Sequence, residues 1–182
     1  VLRSARVVAV AALALAGSLV SAAPASASPA QVYCTSPSSN LLTFTPPLTL
    51  ATQPTVVTRK TVYKPCTSPT VPEIVSGTSS TSFSMPDDCT MVLLPSTVSF
   101  TITWNTGRTT TVKASRTATL ANPTGTSPTL TVDFAGSVTA GLFTGSLVQQ
   151  QYVGSGAELA ACLNGTGRLP ALKSAVSLLI YH

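Results

Sequence analysis

Charge is scarce in this sequence: only 8% of its 182 residues are Asp, Glu, Lys or Arg. Histidine is scarcer still, because the one copy is His182, the last residue. A Ser–His–Asp arrangement therefore has no internal base to activate its serine. The acids are Glu73, Asp87, Asp88, Asp133 and Glu158. A glycosidase needs two carboxyl groups facing each other across a cleft, and no spacing here singles out such a pair. Asp87 and Asp88 stand between Pro86 and Cys89, where a polar turn accounts for them. A calcium loop would need further oxygen ligands at short spacing, and they are missing. The four cysteines form no Cys-x2-Cys pair and have no histidine near them, so a zinc site lacks its ligand pattern. No catalytic, cofactor-binding or metal-binding residue is assigned, no cofactor is expected, and the chain reads as non-enzymatic.

Long hydrophobic runs are also lacking. The longest, Val7 to Val20, has 14 residues, too few to span a bilayer as a helix. Arg3 and Arg6 precede it, no acid appears before Glu73, and the small residues Ala25-Ser26-Ala27 follow. A basic start, a short apolar core and an A-x-A site make a secretory signal peptide. The expectation is a signal over residues 1–27, cleaved before Ser28, and a single domain over 28–182. The product would be secreted and extracellular, with no membrane anchor. Beyond the leader, eight Lys/Arg are scattered against five Asp/Glu. Nucleic-acid binding normally needs a clustered basic face, so it is not expected.

What the chain does have is Thr, Val and Ser, broken up by 14 Pro and 11 Gly. β-branched side chains suit a pleated surface better than a helix. The clearest unit is Val98 to Leu120. Val98, Phe100, Ile102 and Trp104 alternate with Ser99, Thr101 and Thr103, Asn105-Thr106-Gly107 makes a turn, and Arg108 to Leu120 returns. Further strands are expected at Thr55–Tyr63, Ile74–Phe83, Leu130–Phe134, Leu147–Val153 and Ala175–Tyr181. Gln31–Cys34 and Leu41–Phe44 read as short edge pieces, and Pro46-Pro47 and Pro123 to Pro128 as loops. Only Ala157–Leu163 reads as a helical turn, ended by Gly165. Strands at this spacing predict an all-β fold, an immunoglobulin-like antiparallel β-sandwich. Cys89, Trp104 and Cys162 echo the immunoglobulin Cys–Trp–Cys order, but Ala160 stands where its tyrosine corner would be.

An even count of cysteines in an exported chain is read as a disulfide framework of Cys34, Cys66, Cys89 and Cys162. Four cysteines allow three pairings. The layout favours Cys34–Cys66, which flank early strands, and Cys89–Cys162, which lie on either side of the central strands.

An early pair of cysteines brackets Pro- and Thr-rich strands. A hairpin Ile102-Thr-Trp-Asn-Thr-Gly-Arg108, a segment Gly136-Ser-Val-Thr-Ala-Gly-Leu-Phe-Thr-Gly145 and a late cysteine follow. This order resembles a group of small secreted β-sandwich proteins of actinobacteria. The resemblance implies an extracellular β-rich domain and carries over no catalytic residue. Function is therefore expected to be binding or surface interaction with an extracellular partner (a glycan, the cell wall or a protein), in an oligomeric state the sequence leaves open. Trp104, Tyr63, Phe143 and Tyr152 are candidate aromatic contacts, although Trp104 lies in phase with Phe100 and Ile102, as a core residue would. The alternative is a secreted serine-protease inhibitor. Cys89-Thr-Met-Val-Leu-Leu-Pro95 resembles the reactive loop of the Streptomyces subtilisin-inhibitor family, which would make Met91 the residue offered to the protease. The mature chain is longer than in that family and its cysteines are spaced differently.

Overall fold

A computed structural model describes residues 29–124 and 126–182. The expected signal peptide, residues 1–27, lies outside the described residues. Most strands fall close to where alternation put them, but Leu41–Phe44, expected as a short edge piece, lies within a ten-residue strand that is paired on both sides. They are β1 (Ala30–Cys34), β2 (Ser39–Leu48), β3 (Gln53–Tyr63), β4 (Cys66–Thr67), β5 (Gly77–Asp87), β6 (Ser96–Trp104), β7 (Thr109–Ala121), β8 (Thr129–Gly141), β9 (Leu147–Ser155) and β10 (Leu169–Tyr181). One helix, α1 (Ala157–Leu163), and one 3-10 turn, Met91–Leu93, complete the described elements.

The all-β reading holds, but the immunoglobulin-like sandwich does not. The strands form one sheet in the order β2-β3-β5-β6-β7-β8-β9-β10, and β10 pairs again with β2. That last pairing closes an eight-stranded up-and-down barrel, which has no second sheet to pack against. The closing seam explains why sequence periodicity could not distinguish the two. Both architectures require an apolar face on every strand, and only the partners of β10 decide between them. Leu169 to Ala175 pair with β2, while Leu178 to Tyr181 pair with β1 along the same edge.

Alternation sorts each strand into an inner and an outer set. On β6, Phe100, Ile102 and Trp104 are buried and Ser99, Thr101 and Thr103 are exposed. On β7, Val112 and Ala114 point inward against Lys113 and Ser115 outside. Outer hydroxyls pair across strands, as Thr101 with Thr111 (3.1 Å) and Thr58 with Ser82 (3.2 Å). The expected turn is present: Gly107 has φ +80° and its N–H donates to the Trp104 carbonyl. Pro46 and Pro47 are a correction, because they lie inside β2. The β2–β3 ladder ends at Thr45, so neither proline removes a donor that this seam uses.

The disulfides join Cys34 to Cys66 and Cys89 to Cys162. Cys34 and Cys66 are direct cross-strand partners between β1 and β4. Cys89 follows β5 and Cys162 lies on α1. This second bridge ties the β5–β6 connection to the helix after β9, across one end of the barrel.

Candidate functional site

The two ends of the barrel are built differently. At one end β5 and β6 meet, pairing Gly77 with Trp104 and Thr78 with Thr103. Trp104 is 2% exposed and its indole Nε1 donates to Thr110 Oγ1 at 2.8 Å. The Tyr63 and Phe143 rings flank it, each with its centroid 6.5 Å away. A Cβ on Gly77 would lie 2.7 Å from the Trp104 ring, so only glycine lets β5 pass under the indole. This end is a packed floor.

Away from the floor β5 and β6 diverge. No residue after Thr78 pairs with β6, although β5 continues to Asp87 and pairs with β3 throughout. The facing edges of β5 and β6 thus leave a lateral opening in the wall. It leads to a cavity of about 500 Å³, within the range that holds a small organic ligand. Its apolar walls include Phe44, Val57, Val132, Phe134 and Leu172. Phe83 and Leu94, also among its lining residues, are 49% and 51% exposed and form an apolar rim.

The segment from β5 to β6 arches over this opening and is held from several sides. Asp88 accepts hydrogen bonds from the Thr52 hydroxyl (2.6 Å), from the Thr90 hydroxyl (2.5 Å) and from the N–H groups of Thr90 (2.9 Å) and Met91 (3.3 Å). These bonds hold its carboxyl below the usual carboxylate range. The polar-turn reading of the acid pair is therefore right for Asp88. Asp87 turns the other way and lines the cavity, where burial raises its carboxyl above the usual range. From β7, the Arg116 guanidinium donates to the carbonyls of Val92 (2.6 Å) and Leu94 (2.9 Å). It thereby fixes the 3-10 turn from inside the barrel. Met91 opens that turn, lines the cavity and is 37% exposed.

The middle of the barrel is polar. Thr61 bonds Asn40 Oδ1 (3.0 Å) and shares a hydrogen bond with the Tyr152 hydroxyl (3.2 Å). Tyr63 donates its hydroxyl to Gln150 Oε1 at 2.9 Å. Burial raises both tyrosines, Tyr63 strongly, so at neutral pH both keep their protons and remain donors. Arg59 lies one inward position above Thr61, beside Leu42 on β2 and Thr81 on β5. Its guanidinium carbon stands 5.1 Å from the Phe100 ring centroid, and its Nε is buried without a hydrogen-bond partner.

Of the aromatic contacts expected from sequence, Tyr63, Trp104 and Tyr152 are buried inside the barrel, and Phe143 packs against Trp104. None of these four forms an outer surface. Of the acids, Asp133 is on the outer face and accepts a hydrogen bond from Gln151, and Glu73 and Glu158 are exposed. Among the described residues no group of three His, Cys, Asp or Glu side chains is placed to hold a metal. The residues that sequence reasoning missed are Arg59 and Arg116. Arg116 carried a readable signal, a charge in phase with Val112, Ala114 and Leu120. Arg59 did not, because β3 has apolar residues in both phases, Val57 in one and Val56 and Val62 in the other.

Comparison of the chain with protein-family models, curated proteins and solved structures finds no match.

Proposed function

We propose that this protein is a secreted, non-catalytic binding protein that holds a small, largely apolar molecule inside its barrel. The observation that carries the reading is the cavity itself: about 500 Å³, walled largely by apolar side chains and bordered by the gap where β5 parts from β6. Barrel interiors of this width are used for ligands when side chains do not fill them. Two disulfides and the export signal expected at residues 1–27 suit work outside the cell. Chemistry is not part of the reading, because no histidine or thiol lies at the cavity. Its one carboxylate, Asp87, has no second acid facing it among the lining residues.

The test is titration with the neutral dye N-phenylnaphthylamine, which brightens on leaving water. The expected result is saturable binding of one dye per chain. A Val57→Trp variant, which puts an indole into the cavity from β3, should weaken it roughly tenfold or more. A folded Val57→Trp protein that binds the dye as well as the wild type would place the dye elsewhere and contradict the proposal.

A further inference from the structure

The charged residues lining the cavity are Arg59, Arg116 and Asp87. Arg116 already donates to the carbonyls of Val92 in the 3-10 turn and of Leu94 just after it, and Asp87 accepts from the Asp88 N–H at 2.9 Å. Arg59 has no such partner at its buried Nε, and its neighbour is the face of Phe100. A phenyl face attracts a guanidinium only weakly compared with a carboxylate, and it does not satisfy the N–H donors. The chamber therefore keeps a net positive charge whether Asp87 is ionised or protonated. A buried donor without an acceptor, the Arg59 Nε, is unfavourable to the empty protein. An anion delivered by the ligand would relieve it.

We infer that the ligand is an acidic amphiphile, with its carboxylate or similar oxyanion paired to Arg59 and its apolar body against Phe44, Val57, Val132, Phe134 and Leu172. This rests on the cavity-binding reading and adds the ligand's chemical class. Geometry supports the orientation. Arg59 sits between the polar middle of the barrel, where Thr61, Asn40 and Tyr152 bond one another, and the apolar chamber. Its β5 neighbour, Thr81, stands on the edge of the lateral opening. A head group entering between β5 and β6 would therefore meet Arg59 without crossing the apolar wall. A guanidinium binds an oxyanion through two parallel N–H donors, which fixes the head while leaving the tail free to vary.

The experiment compares octanoate with octanol, which share a chain and differ in charge, and uses N-phenylnaphthylamine as the neutral reference. At a pH well above the carboxylic range, wild type should bind octanoate roughly tenfold or more tightly than octanol, the gain expected for a charge-assisted hydrogen bond. In Arg59→Met that ratio should fall to near one, and in Arg59→Lys part of it should survive. The unliganded Arg59→Met protein should melt higher than unliganded wild type, because the buried donor without a partner is gone. Equal affinity of wild type for acid and alcohol, or a preference that persists in Arg59→Met, overturns the inference while dye binding leaves the cavity reading standing. Failure of wild type to bind the dye, the alcohol and the acid overturns both.

Discussion

The floor of the barrel and its open flank are made from the same two strands, yet they behave as opposites. At the floor, β5 and β6 pair, Gly77 yields its side-chain volume to Trp104, and the indole N–H finds Thr110. A few positions further on the strands part, and the space between them is bordered by Phe83, Met85 and Val98 rather than by a ladder. What separates the two regions is whether local groups satisfy each other. The floor is self-sufficient. The flank holds a guanidinium without an anion and apolar side chains in contact with water, and such a surface makes sense when something else completes it.

The largest effect should come from breaking the floor. Trp104→Ala removes a fully packed indole and the N–H that the Thr110 hydroxyl accepts, though that hydroxyl keeps its own bond to the Leu142 carbonyl, and should cost about 3–5 kcal/mol in a denaturant titration. A cost below about 1 kcal/mol would mean that the floor is not the rigid half. Next in size is the arch over the opening. Arg116→Met leaves the carbonyls of Val92 and Leu94 without their donor and should cost about 1–3 kcal/mol. It should also speed amide exchange in residues 89–94 while leaving residues 102–112 unchanged. An equal rise in both regions would show that the arch and the floor are one unit.

The smallest effect sets two neighbouring acids against each other. Asp88 has a lowered folded pKa, so its contribution is complete above the unfolded carboxylate range and is lost as pH falls through the lowered value. Asp88→Ala should cost about 1 kcal/mol at neutral pH, as loss of an acceptor for turn N–H groups does, and progressively less in acid. Asp87 has a raised folded pKa, so the folded state holds its proton longer and stability declines as pH rises through that window. Asp87→Asn should therefore gain on wild type as pH rises through the same window. Parallel pH profiles for the two variants would contradict the opposite placement of their carboxyls.

Much of the fold was legible in the sequence because alternation is a local signal. The β6–β7 hairpin, the helical turn at Ala157–Leu163 and both cysteine pairs could be read from neighbouring residues or from layout. Barrel closure could not, because it depends on β10 meeting β2 more than 120 positions earlier in the chain. The first half of β10 was missed for a related reason. Pro170 and Lys173 interrupt its pattern, while Leu169 and Leu172, which face inward, are too few to establish one. Met91 stood out as a reactive-loop residue from its string alone. Its place at the start of a 3-10 turn depends on Asp88 and on Arg116, a residue distant in sequence. The cavity depends on where β5 and β6 stop pairing, and no single residue announces that.

Methyl spectra of the protein titrated with N-phenylnaphthylamine test the central claim most directly, because adjacent residues of one strand serve as each other's controls. Val57 faces the cavity and Val56 faces solvent. The account predicts that the methyls of Val57, Val132 and Leu172 shift on saturation, while those of Val56, Val62 and Val153 outside, and of Ile102 and Val112 near the floor, stay in place. Shifts confined to the outward valines, with the cavity methyls unmoved, would contradict it.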